Sequence, residues 1–150
     1  MRSNGTGDMA RLVPELIVSD FARSLRFYTQ TIGFKQLYGR PEEDFAYLDL
    51  DGAQIMIVQR DAGDPRDWVA GEPTYPYGRG MNLEISVAAV DPLLEACTEQ
   101  GAPIFLLMEE KWYRRDKVLL GARQFIVMDP DGYLLRFSQS LGSRPSEGQS

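Results

Sequence analysis

No histidine occurs anywhere in the 150 residues. That removes the side chain most often used as a general base near neutral pH and as a transition-metal ligand. Chemistry must come from carboxylates, arginines, tyrosines or the single cysteine. Cys97 sits in an apolar-periodic stretch, flanked by Glu95 and Glu99. A reactive thiolate needs a basic neighbour or a helix N-terminus, so Cys97 reads as a buried helix residue. A second concentration of reactive types is Glu109-Glu110-Lys111-Trp112-Tyr113-Arg114-Arg115-Asp116. Read as a charged loop between strands, it offers Trp112 and Tyr113 either as a planar ligand surface or as local packing. Arg114-Arg115 reads as solvated charge, and Tyr75-Pro76-Tyr77 as linker packing.

Periodicity supplies the elements that must position these groups. Leu12 to Val18 reads as a first strand. Ser19 or Asp20 caps a helix in which Phe21, Leu25, Phe27, Tyr28 and Ile32 fall at helical spacing, and Gly33 ends it. Short strands follow at 34–38 and 45–50. Asp51-Gly52 is a two-residue hairpin signal leading into a strand at 53–59. Residues 61–80, rich in Gly, Pro and Asp, read as a linker whose Trp68, Tyr75 and Tyr77 could fold over something. The pattern then restarts with a strand at 81–87 and a helix entered at Asp91-Pro92 and ended by Gly101. Strands at 104–108 and 123–128, an Asp129-Pro130-Asp131-Gly132 turn and a last strand at 133–139 complete it. Each half reads as strand, helix, three strands. The fold class is α+β, with βαβββ modules at 11–60 and 81–140 and loose tails at 1–10 and 141–150. Neither half buries its sheet alone, so two would close around a cavity of the kind that takes small ligands.

Composition excludes several partners. A net charge of −6 argues against nucleic acid, which needs a basic stripe to neutralise phosphates. It mildly favours a cationic ligand, although acidity also serves solubility. No apolar run approaches the ~20 residues of a membrane span. Residues 1–10 hold no apolar h-region, so no signal peptide is expected. With one cysteine, a reduced cytoplasmic setting fits.

Several motifs in order carry a family likeness. They are Val13-Pro14-Glu15-Leu16-Ile17-Val18-Ser19-Asp20, Ser24-Leu25-Arg26-Phe27-Tyr28, Ile32-Gly33-Phe34 and Asp129-Pro130-Asp131-Gly132-Tyr133. From about residue 11 to residue 140 the chain resembles the vicinal-oxygen-chelate superfamily of glyoxalase I, extradiol dioxygenases, fosfomycin-resistance enzymes and bleomycin-resistance proteins. The resemblance implies a paired, cupped mixed β-sheet with flanking helices. It also implies that metal-dependent members draw one ligand from each of four strands. Those positions fall here on Val13, Met56, Asn82 and Arg136. Valine and methionine are not donors for a hard cation, and arginine carries a fixed positive charge. The implied branch is therefore the metal-free one, with no cofactor. Its bleomycin-resistance proteins sequester an antibiotic-type ligand in a cavity between modules without altering it. Pro14 resembles the segment through which such proteins form strand-exchanged homodimers. One departure is Leu120-Gly121, where that subfamily often has Trp-Gly; Trp112, Tyr113 or Trp68 would then supply the aromatic surface.

If Val13 faces the cavity, strand alternation brings Glu15 with it. The same count adds Met56 and, in the second half, Asn82, Glu84, Gln124 and Arg136. The expected ligand-binding set is Glu15, Met56, Asn82, Glu84, Trp112, Tyr113, Gln124 and Arg136. A buried Arg136 needs an acidic partner, either as a structural ion pair or as a ligand anchor. The alternative is a glyoxalase-like lyase or isomerase, or a dioxygenase. It would use Glu15 or Glu84 as base with Arg136 steadying an oxyanion, or a relocated metal held by Glu15 and Glu84.

Overall fold

Hydrophobic alternation builds one four-stranded sheet in each half of the chain. The structure is a computed structural model that describes residues 9–146. It forms two units: the chain up to Tyr77 together with Pro130–Gly132, and Gly78–Asp129 together with the chain from Tyr133 onward.

In the first unit β1 (Glu15–Val18), β2 (Lys35–Arg40), β3 (Phe45–Leu50) and β4 (Ala53–Gln59) are ordered β1-β4-β3-β2. β1 runs parallel to β4, with Glu15 opposite Met56, and the other pairs are antiparallel. Asp51 and Gly52 both take positive φ, 50° and 99°, as the tight hairpin requires. Leu16, Val18, Ala46, Leu48, Ile55 and Ile57 form the buried face. Asp20 caps α1 (Phe21–Arg26) by accepting from the Arg23 N–H at 3.1 Å. The expected helix continues to Ile32, but Phe27–Ile32 is wound as a π-helix and stops at Gly33 with φ 107°. Within it the Thr29 hydroxyl donates to the Leu25 carbonyl at 2.6 Å, a back-bond that competes with the regular ladder.

The second unit repeats the topology. β5 (Asn82–Ser86), β6 (Ile104–Arg115), β7 (Val118–Met128) and β8 (Leu134–Pro145) are ordered β5-β8-β7-β6, with β5 parallel to β8. The core of this unit includes Ile85, Val90, Phe125, Val127, Leu135 and Phe137, with Cys97 of α2 (Asp91–Glu99) fully buried.

Three expectations are corrected. The stretch 109–116 is not a loop: β6 runs on to Arg115, β7 begins at Val118, and the two pair throughout. Asp116 turns the hairpin at φ 56°. Charged residues on both faces mask the alternation of an arm that is mostly exposed. Secondly, β8 continues to Pro145, paired with Val118, beyond the point where a loose tail was expected. The remaining tail positions, 1–8 and 147–150, lie outside the described residues. Thirdly, β1 starts at Glu15 rather than Leu12, which is 85% exposed.

Residues 61–80 contain no helix or strand, and ion pairs tie them down. Arg60 meets Asp67 at 2.7 Å and Glu72 at 3.2 Å. The Pro130–Gly132 turn packs with the first unit. Asp131 accepts from the Ser19 backbone N–H at 3.0 Å and from its hydroxyl at 2.5 Å.

Candidate functional site

On the second sheet, one face carries the apolar core and the other, more open face carries the polar residues. The register Glu84–Arg136–Ile126 crosses β5, β8 and β7 on that open face. Arg136 is held in place by its neighbours. Its Nε donates to Asn82 Oδ1 at 3.0 Å, and its Nη1 donates to Gln124 Oε1 at 3.4 Å. The Glu84 carboxylate stands 3.7 Å from Nη1, too long for a direct hydrogen bond. Gln124 is the hub, only 1% exposed. Its Nε2 donates to Glu109 at 2.7 Å and to the Tyr113 hydroxyl at 2.6 Å. The amide has one consistent orientation, because arginine can only donate and a carboxylate can only accept. Burial demands that every polar atom of Gln124 be matched, and here each one is.

The first unit has its own polar hub. Gln54 is 5% exposed; its Oε1 accepts from the Tyr47 hydroxyl at 2.7 Å and from the Ala10 N–H at 2.7 Å. Its Nε2 donates to Asp49 at 2.9 Å. Burial first, and then nearby Tyr38, push the Tyr47 phenol above its ordinary pKa. Further along the same unit lies a cavity of about 370 Å³. Glu15, Ile17, Phe45, Val58, Arg60 and Trp68 are among its lining residues. Its arginines are already engaged: Arg40 with Glu43, Arg60 with Asp67, and Arg66 over the Trp68 ring at 4.3 Å. The Glu15 carboxylate has no hydrogen-bond or ion-pair partner among the described residues.

The expected residues thus fall into separate groups. Asn82, Glu84, Gln124, Arg136 and Tyr113 meet on the second sheet. Glu15 and Met56 are neighbours on the first, and Val13 precedes its first strand. Trp112 does not join the Arg136 group. It lies opposite Gly121, on the face of β7 that carries Arg123 and Phe125. A Cβ at Gly121 would come within 2.6 Å of its ring, and Arg144 stacks on it at 4.1 Å. Adjacent strand residues face opposite ways, so Trp112 and Tyr113 cannot form one ligand surface. Glu109 and Tyr47 are site-forming residues that sequence reasoning missed, whereas strand alternation does place Gln54 on the cavity-facing side. Recognising 109–115 as a strand would have placed Glu109 and Tyr113 on the same face.

The four positions at which the resemblance expects metal ligands, Val13, Met56, Asn82 and Arg136, carry side chains poorly suited to a hard cation. In the second unit the Asn82 side-chain oxygen accepts from the Arg136 guanidinium. Among the described residues no group of three or more His, Cys, Asp and Glu side chains is placed to hold a metal ion.

The model of the Glyoxalase/Bleomycin resistance protein/Dioxygenase superfamily matches residues 9–137. The chain belongs to this superfamily. Bleomycin resistance proteins of Geobacillus stearothermophilus and Staphylococcus aureus are each 26% identical over 143 residues, 90% of this chain and 100% of theirs. Among solved structures, TioX from Micromonospora sp. ML1 aligns with TM-score 0.66 at 25% identity, covering 89% of this chain and 100% of its own. A protein of unknown function from Agrobacterium tumefaciens shares the fold with TM-score 0.67 at 24% identity, covering 89% of this chain and 96% of its own. The reading of two βαβββ units in a member of this superfamily is therefore the fold found.

Proposed function

We propose that this superfamily member is a metal-independent small-molecule-binding protein of the bleomycin-resistance type, which holds its ligand without changing it. The observation that carries the reading is Arg136. A fixed cation stands where the family resemblance expects a metal ligand, secured by Asn82 and Gln124 and faced by Glu84. A guanidinium there repels a divalent ion and offers directional donors to a ligand instead. The bleomycin resistance relatives, matched over their full length, support the same reading. On the first unit, unpartnered Glu15 and the exposed Trp68 ring suit a ligand with cationic and aromatic parts.

The test is a melting-shift screen of the purified protein across bleomycin-like drugs, other antibiotics and thiol conjugates, followed by mass analysis of any ligand recovered. The expected result is a concentration-dependent rise in Tm with the ligand recovered intact. Metal content should be below one equivalent, and EDTA should leave both Tm and binding unchanged. An altered ligand, or binding lost on chelation, overturns the reading.

A further inference from the structure

The two polar hubs look alike but leave different hydrogens available. Each joins a tyrosine hydroxyl to a carboxylate through a buried glutamine. In the first unit, Tyr47 donates its hydroxyl hydrogen to Gln54. In the second, the orientation of Gln124 is dictated by Arg136 and Glu109, so Tyr113 must accept from the amide. The Tyr113 O–H hydrogen is then left to point away from Gln124, and no acceptor meets it among the described residues. Arg136 likewise uses Nε and Nη1, while Nη2 has no partner among the described residues. Both groups are reachable: the Arg136 side chain is 25% exposed and Tyr113 41% exposed. They sit at opposite ends of one amide, beside the half-buried Ile126 and Leu106 on neighbouring strands.

We propose that Arg136 Nη2 and Tyr113 Oη–H form a donor pair that reads a neutral carbonyl oxygen on the ligand, of carboxamide type. This rests on the small-molecule reading above and names the group that reading leaves open. The class follows from charge. Glu84 and Glu109 are balanced by Arg136 and by Lys111, whose ammonium lies 6.0 Å from the Tyr113 ring, so a carboxylate entering here finds no uncompensated cation. A neutral carbonyl satisfies both donors without adding charge, and Ile126 and Leu106 can carry an apolar body attached to it. Gln124 is a positioning residue: it fixes which way the tyrosine hydrogen points.

The probes are naphthalene-2-carboxamide, labelled with 13C at its carbonyl, and naphthalene-2-carboxylate, both titrated into the whole protein by NMR. High salt removes the effect of overall charge on the comparison. The carboxamide should bind, its carbonyl resonance should move downfield, and the carboxylate should bind at least several-fold more weakly even at high salt. Tyr113→Phe removes the ligand's hydrogen bond together with the one Tyr113 accepts from Gln124, and should weaken the carboxamide at least roughly five-fold while abolishing most of the downfield shift. The wild-type carbonyl shift keeps the test valid if that variant folds poorly. Equal or tighter carboxylate binding, an unshifted carbonyl, or no binding of either probe overturns the proposal. If other compounds still raise Tm and are recovered intact, the small-molecule reading survives that failure.

Discussion

At the scale of single residues, burial decides what each reactive group does. Cys97 is fully buried, and burial pushes its thiol up to about 11. Folding thus holds the thiol neutral where the unfolded chain would ionise. The raised value means the associated stability is present below the ordinary pKa and is lost as pH climbs from about 9 to about 11. Relative to Cys97→Ala, the wild type should lose on the order of 2 kcal/mol across that window, measured by urea unfolding at each pH. A flat difference would show that the thiol ionises freely in the folded state. The same logic explains Gln124. Glutamine tolerates near-complete burial there because its three hydrogen-bonding contacts come from Arg136, Glu109 and Tyr113. From sequence alone, Gln124 could be placed on the open face, but its partners could not be identified.

At the scale of elements, the long β6–β7–β8 arm is the main departure from expectation. Trp112 covers Gly121 with its ring, donates to Glu110 at 2.9 Å and lies under Arg144. Glycine is required there because any side chain would collide with the indole. Gly121→Val should push the ring out and cost about 1–3 kcal/mol by overpacking. In a Trp68→Phe background the indole emission then reports Trp112 alone, and it should shift towards the red. Unchanged emission would mean that the ring does not rest on the glycine. β3 and β4 were legible residue by residue, since the Asp51-Gly52 signal fixes their register. β6 and β7 were legible only at their buried ends. Beyond them the arm's charges and aromatics alternate across two exposed faces, and periodicity has no core to report.

At the scale of the whole molecule, charge is the property that reaches furthest. The chain carries −6, and the arginines of the first-unit cavity are already paired or stacked. A planar cation should therefore bind more tightly at low salt. The affinity for naphthalen-2-ylmethylammonium, measured by calorimetry, should fall several-fold as ionic strength rises from about 0.02 M to about 0.3 M. A salt-independent affinity would remove the carboxylates from ligand recognition.

The sequence by itself determined the repeated βαβββ order, the capped first helix and the first hairpin. These follow from local periodicity, turn chemistry and side-chain type, none of which needs distant neighbours. Tertiary structure decided which residues meet. It extended the strands through 109–116, turned Trp112 away from Arg136, and brought in Glu109, fifteen residues from Gln124 in the chain. It also decided which hydrogens the hub leaves over, because the direction of the Tyr113 proton depends on what Arg136 and Glu109 require of one buried amide.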